Sequence, residues 1–186
     1  MKDEELIDAF LRGNDDALEV LIRNYAGPIY NFVFYLVGNV GDAEDITQDV
    51  FVNVWKNIEK FDKTKKFKTW IFAIAKNASF NWLKKKKPFV FSDISTTDEN
   101  NELEDFVESI ADDSPLPEEL FMRADLGREL SKAIDTLNPI YRSILLLHYR
   151  EELSLQEIAE LQNESINTIK SKHRRALILL RKVFNY

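Results

Sequence analysis

Between Leu153 and Arg181 the chain reads LSLQEIAELQNESINTIKSKHRRALILLR, two helical patterns separated by a polar turn that leaves room only for a sharp change of direction. In the first pattern Leu155, Ile158, Ala159 and Leu161 make an apolar stripe at helical spacing, and Ala159 is small enough for a second helix to cross closely. In the second, Ile169, Leu177 and Leu180 point inward. Thr168, Lys170, Ser171, Lys172, Arg174 and Arg175 remain as donors for phosphate oxygens and for the acceptor edges of guanine and adenine. This pattern predicts a helix-turn-helix whose second helix reads a major groove. A merely solvated helical hairpin would mix charge signs, whereas from Lys170 to Lys182 there are six Lys and Arg and no acid.

A net charge of −7 argues against a polyanionic ligand until the charge is mapped. Residues 93–119 hold eleven Asp and Glu and no Lys or Arg, so the rest of the chain carries a balance of +4. One acidic segment sets the overall sign. The chain has no cysteine, which excludes disulfides, thiolate metal sites and a cysteine nucleophile. Its longest apolar runs, Phe32 to Val37 among them, are far short of the roughly 20 residues of a membrane span. The opening MKDEEL has no apolar secretory stretch, so a soluble cytoplasmic protein is expected.

Ahead of the acidic segment, apolar residues recur at helical spacing and Gly, Asn and Asp mark the breaks. Helices are predicted at Asp3 to Arg12, Asp15 to Val37 either continuous or broken at Gly27-Pro28, Asp42 to Glu59 and Lys68 to Lys86. In the third, Ala43, Ile46, Val50, Val54 and Ile58 form the inward stripe, widened by Phe51 and Trp55. No strand-like alternation competes, so the fold class is all-α, with two small helical domains. The expected division is 1–87, an acidic linker at 88–117, and 118–186. Within the linker Leu103, Phe106, Val107 and Ile110 keep helical spacing. Beyond it a pattern from Leu120 to Leu137 ends at Asn138-Pro139, and Ile140 to His148 opens the next helix.

Three phrases occur in order: Asp42-Ala43-Glu44-Asp45-Ile46 with Gln48-Asp49-Val50-Phe51; Phe67, Thr69-Trp70-Ile71, Ile74-Ala75 and Asn77; and Glu157-Ile158-Ala159, Thr168-Ile169-Lys170-Ser171 and Arg175-Ala176. Together they resemble the extracytoplasmic-function sigma factors of bacterial RNA polymerase. The resemblance covers residues 3–87 and 120–183. It implies a region two domain, a region four domain, no catalysis and no cofactor or metal. Its implied partners are core RNA polymerase through the beta-prime and beta subunits, promoter DNA, and an anti-sigma factor.

The resemblance further implies roles for named residues. Asp42, Glu44, Asp45, Gln48, Asp49 and Asn53 would dock on a beta-prime coiled coil, where carboxylates and amides suit arginines. The basic loop with Lys63, Lys65, Lys66 and Phe67, together with Lys68, Phe72, Lys76, Asn77, Phe80 and Lys84, would capture the minus-10 element. Cations and aromatics are the combination that holds an unstacked strand. Trp70, Ile71, Ile74, Ala75, Ala78 and Trp82 are read as the inward side of that helix. Lys84 to Lys87 fit either a phosphate clamp or a solvated helix end. The basic face of the last helix would read the minus-35 duplex.

Two departures from the family pattern fall in the helix-turn-helix. Gln162-Asn163-Glu164 replaces the usual Leu-Gly-apolar turn, and Asn163 is expected to take the left-handed conformation that glycine would supply. Glu164 has no evident packing role, and Ile166 is positioned to supply that packing in its place. His173 stands where leucine or isoleucine is usual and is read as a lone, partly buried side chain. The acidic linker fits a tether, an occupant of a basic RNA channel, or a mask over the basic surfaces. The competing reading is a stand-alone helix-turn-helix regulator with a helical sensor domain. A helical nuclease is a more distant one, because the carboxylates form no converging set.

Overall fold

The computed structural model describes residues 2–86 and 133–184, and they divide between two compact units, Met1–Leu83 and Lys84–Tyr186. The expected linker at 88–117 and most of the Leu120 to Leu137 pattern lie outside the described residues. All regular structure among the described residues is helical.

In the first unit α1 (Asp3–Leu11) and α2 (Asp15–Val37) pack against each other, and α2 also packs against α3 (Val40–Asn57). A left-handed Gly13 (φ 95°) sits between α1 and α2, and Gly38 (φ 75°) ends α2 with its N–H bonded to Phe34 O at 2.8 Å. Asn39 starts α3 by accepting from the Asp42 N–H at 3.0 Å, satisfying one of the four orphan donors of a helix start. Of the two readings at Gly27-Pro28 the structure has the continuous one, and α2 runs through Pro28. Proline removes one N–H donor there. The next turn keeps Ile29, Phe32 and Val33 fully buried, and this packing holds the helix on course.

A short 3-10 turn, Ile58–Lys60, leads through the loop to α4 (Phe67–Lys86). An edge-to-face aromatic chain ties this helix to the rest. Phe72 meets Phe32 of α2 at 5.3 Å between centroids, and Phe67 meets Tyr25 of α2 at 5.3 Å and Phe61 at 5.7 Å. Ser79, fully buried, donates its hydroxyl to Ala75 O within its own helix.

The second unit, where described, opens with a helical end at 133–136 and continues with α5 (Pro139–Leu145), a π turn (Leu146–Arg150), α6 (Leu155–Gln162) and α7 (Ile166–Phe184). Ala133, Ile134, Leu137, Leu145, Ala176 and Leu180 share one apolar core. Buried Arg142 closes the helical end by donating Nε to Ile134 O at 3.1 Å and Nη2 to Leu137 O at 3.0 Å and to Asp135 O. A guanidinium in this position satisfies carbonyls that the helix leaves without intrahelical donors.

Candidate nucleic-acid interface

The turn between α6 and α7 is built from its own sequence. Ser154 and Glu157 form a capping box at the start of α6. At its end Asn163 is left-handed (φ 54°, ψ 44°), its N–H reaches Glu160 O at 3.2 Å, and the Glu164 N–H reaches Ala159 O at 3.0 Å. This is a Schellman closure with asparagine in the glycine position, as its tolerance of that backbone region allows. Ser165 then caps α7, accepting from the Thr168 N–H at 3.1 Å while its hydroxyl meets the Thr168 hydroxyl at 2.8 Å.

Along α7, Ile169, Ala176 and Leu180 are buried, and Thr168, Lys170, Ser171 and Arg174 are exposed, with Arg175 half-buried beside them. Five of the six proposed minus-35 contacts thus lie on or beside one open face. Lys172 differs. Its Nζ sits 2.8 and 2.6 Å from the two carboxylate oxygens of Glu164, which gives that turn residue the role the sequence left unassigned.

His173 is not alone. Its ring lies 5.6 Å from Tyr149 in a stacked arrangement and 5.1 Å edge-on from His148, with Nε2 3.2 Å from the Tyr149 hydroxyl. His148 Nδ1 in turn lies 2.7 Å from Leu153 O. Burial, reinforced by the neighbouring His148, lowers the His173 pKa to about 4.

In the first unit the loop before α4 is folded on itself. Asp62 accepts from the Thr64 N–H at 3.0 Å and the Thr64 hydroxyl at 2.7 Å, and these bonds hold its carboxyl below the usual range. Lys63 pairs with Asp8 of α1, whereas Lys65 and Lys66 are exposed. On α4, Asn77 and Lys84 are exposed, and Lys76 lies 5.0 Å over the ring of half-buried Phe80.

Two of the proposed minus-10 contacts are corrected. Phe67 is 1% exposed and Phe72 fully buried, so both are core residues and neither ring faces an incoming base. The inward stripe is Phe67, Ile71, Phe72, Ala75, Ser79 and Leu83, while Trp70, Ile74, Ala78 and Trp82 are only half-buried. Apolar side chains surround α4 almost completely, so spacing alone leaves the phase of the stripe open. The ring partners on α2 and at Phe61 decide it. Asn81, one turn beyond Asn77, shares the open strip and was missed; a polar residue at i+4 from a candidate was the available signal.

On α3 and the 3-10 turn that follows it the five-residue inward stripe is buried as expected, and Glu44, Asp45, Gln48, Asp49 and Asn53 are exposed, with Asp42 half-buried. Trp55 is the correction. Instead of widening the core it is 59% exposed, and Val52 is 46% exposed. At about 100° per residue the two share the face of Gln48, so an exposed apolar pair follows the acids toward the C-terminal end of α3.

Comparison with known proteins follows this division. The sigma-70 region 2 profile matches residues 21–89 and the sigma-70 region 4 profile matches residues 127–180. The ECF RNA polymerase sigma factor SigW of Bacillus subtilis is 34% identical over 171 residues, 92% of this chain and 90% of that protein. The chain belongs to the ECF sigma factors. SigX of the same organism is 26% identical over 168 residues, 90% of this chain and 84% of SigX. The sigma factor RpoE from Bartonella quintana, solved in complex with the anti-sigma factor NepR, shares the fold with a TM-score of 0.65 at 22% identity. That match covers 90% of this chain and 96% of RpoE. A stand-alone regulator would account for the region 4 match but not for the region 2 match. In this sigma factor, among the described residues, no three His, Asp or Glu converge as a metal site, and no helix is long and apolar enough to cross a membrane.

Proposed function

We propose that this ECF sigma factor works without catalysis of its own, as the promoter-specificity subunit of cytoplasmic RNA polymerase. The division of labour is residue by residue. The α3 face, with Glu44, Asp45, Gln48, Asp49 and Asn53 followed by Val52 and Trp55, docks on the beta-prime coiled coil. Carboxylates recruit arginines, and the apolar pair supplies burial that a purely charged face lacks. Lys65, Lys66, Lys76, Asn77, Phe80 and Lys84 hold the minus-10 strand. A surface that binds only an extruded base draws the duplex toward melting by differential affinity, without ATP. Thr168, Lys170, Ser171, Arg174 and Arg175 read the minus-35 duplex. The domain division is residues 1–87 and 118–186 around an acidic linker, and an anti-sigma factor is the expected negative regulator.

One observation carries the proposal: an α7 with an exposed basic face and an α3 that exposes acids and then Val52 and Trp55 occur in the same chain, one in each unit. An operator-binding regulator has no use for the second. Mixing the purified chain with core polymerase should give co-elution on gel filtration and initiation at selected sites on genomic fragments. Failure of both overturns it. Trp55→Ala should weaken co-elution without altering the melting temperature.

A further inference from the structure

Glu164 and Lys172 are eight residues apart, so no helical periodicity brings them together. The Schellman turn does, by fixing the Glu164 backbone through its N–H to Ala159 O. The carboxylate then presents both oxygens to one ammonium, at 2.8 and 2.6 Å. The Lys172 and Glu164 side chains are only 24% and 30% exposed, against 54% and 43% for Lys63 and Asp8, so water and salt screen this pair less. Lys172 lies one turn from Thr168 and three residues before Arg175, on the edge where the open face of α7 meets its buried stripe. An ammonium on that edge is within the ordinary reach of a phosphate flanking the groove.

We propose that Glu164 sets the general DNA affinity of the duplex reader: it stands in for a backbone phosphate, holds Lys172 as an internal counter-ion and removes one phosphate contact from DNA binding. Phosphate contacts raise affinity for every sequence alike, whereas base contacts raise it for one. Neutralising a single lysine therefore lowers affinity for every duplex alike and leaves discrimination, which rests with Lys170, Ser171 and Arg174, unchanged. The acid that replaces an apolar turn residue acquires a function in the reader rather than in the core.

This inference rests on the reading of α7 as the face that meets duplex DNA. Its test measures binding of the full-length chain to a short random-sequence duplex over a range of salt concentrations. Glu164→Gln keeps the shape of the side chain and should raise affinity severalfold at low salt. It should also steepen the slope of log K against log salt by about 0.9, the signature of one added phosphate contact. Lys172→Gln should leave the wild-type slope unchanged, and the double variant should return to it. An unchanged slope in Glu164→Gln, or no binding by that variant at any salt, overturns the proposal. So does a slope flattened by Lys172→Gln alone, an arm that does not depend on the Glu164 variant folding. A Lys170→Gln/Arg174→Gln variant that binds as the wild type does would instead show that α7 does not face the duplex, a failure of the underlying reading.

Discussion

The two helices proposed to meet DNA, α4 and α7, were not equally readable, and the contrast shows what a sequence encodes directly. On α7 Ile169, Ala176, Leu177 and Leu180 lie on one side and most basic residues on the other, so its inward and outward faces largely follow from spacing; Ile178, buried in line with Ser171 and Arg174, is the exception. On α4, Trp70, Ile71, Phe72, Ile74, Phe80 and Trp82 occupy nearly every direction, and tertiary partners choose which of them is buried. An amphipathic helix carries its own orientation. An aromatic-rich helix receives it from its neighbours.

The largest test of that contrast compares two phenylalanines on α4. Phe72→Ala should cost about 3–5 kcal/mol by denaturant titration, the usual penalty for emptying a packed aromatic site. Phe80→Ala, on the half-buried side, should cost under about 1 kcal/mol and act instead on minus-10 capture. Equal losses of stability would return Phe80 to the core and remove it from the DNA surface.

On α7 the expected effect is smaller and of another kind. Arg174→Ala should weaken binding to the cognate minus-35 duplex by about 1–3 kcal/mol if the guanidinium reads a base, with little change at scrambled sequence. A uniform loss at both sequences, with a flatter salt slope, would assign Arg174 to phosphate.

His173 gives the helix-turn-helix a pH dependence that α4 lacks. Its folded pKa, about 4, lies below the ordinary value of 6.5, so the folded state favours the neutral ring. Stability from this group is complete above about pH 6.5 and is lost progressively as pH falls toward 4, where the unfolded chain takes up the proton first. The melting temperature of the wild type should therefore fall more steeply across that window than that of His173→Leu. Parallel curves would show that the His148, Tyr149 and His173 cluster does not hold the ring neutral.

The smallest effect concerns the turns. Glu152 is left-handed at φ 57° without the tolerance of asparagine, so Glu152→Gly should stabilise by about 0.5–1 kcal/mol. At Asn163, also left-handed, glycine should change stability by a few tenths of a kcal/mol. A larger gain at Asn163 than at Glu152 would contradict the assignment of strain.

What the sequence made legible follows the same physics. The α3 stripe, the two helices of the reader and the left-handed Asn163 are local consequences of spacing and turn chemistry. The Glu164 to Lys172 pair, the His148 to His173 contact and the outward Trp55 depend on residues that only the folded chain brings together or leaves uncovered. The continuity of α2 through Pro28 belongs with them, since one missing donor is outweighed by the packing of Ile29, Phe32 and Val33.

The central claim is that two surfaces in separate units read two separate promoter elements. The chain contains no cysteine, so a single exposed one can be placed at Asn77→Cys or Ser171→Cys without competing thiols. Each variant, assembled with core polymerase and carrying a tethered DNA-cleaving chelate, reports which promoter segment lies beside it. Cleavage from position 77 at the start-proximal element and from position 171 at the upstream duplex is the predicted result. Cleavage from both at one element, or none from position 171, would contradict it.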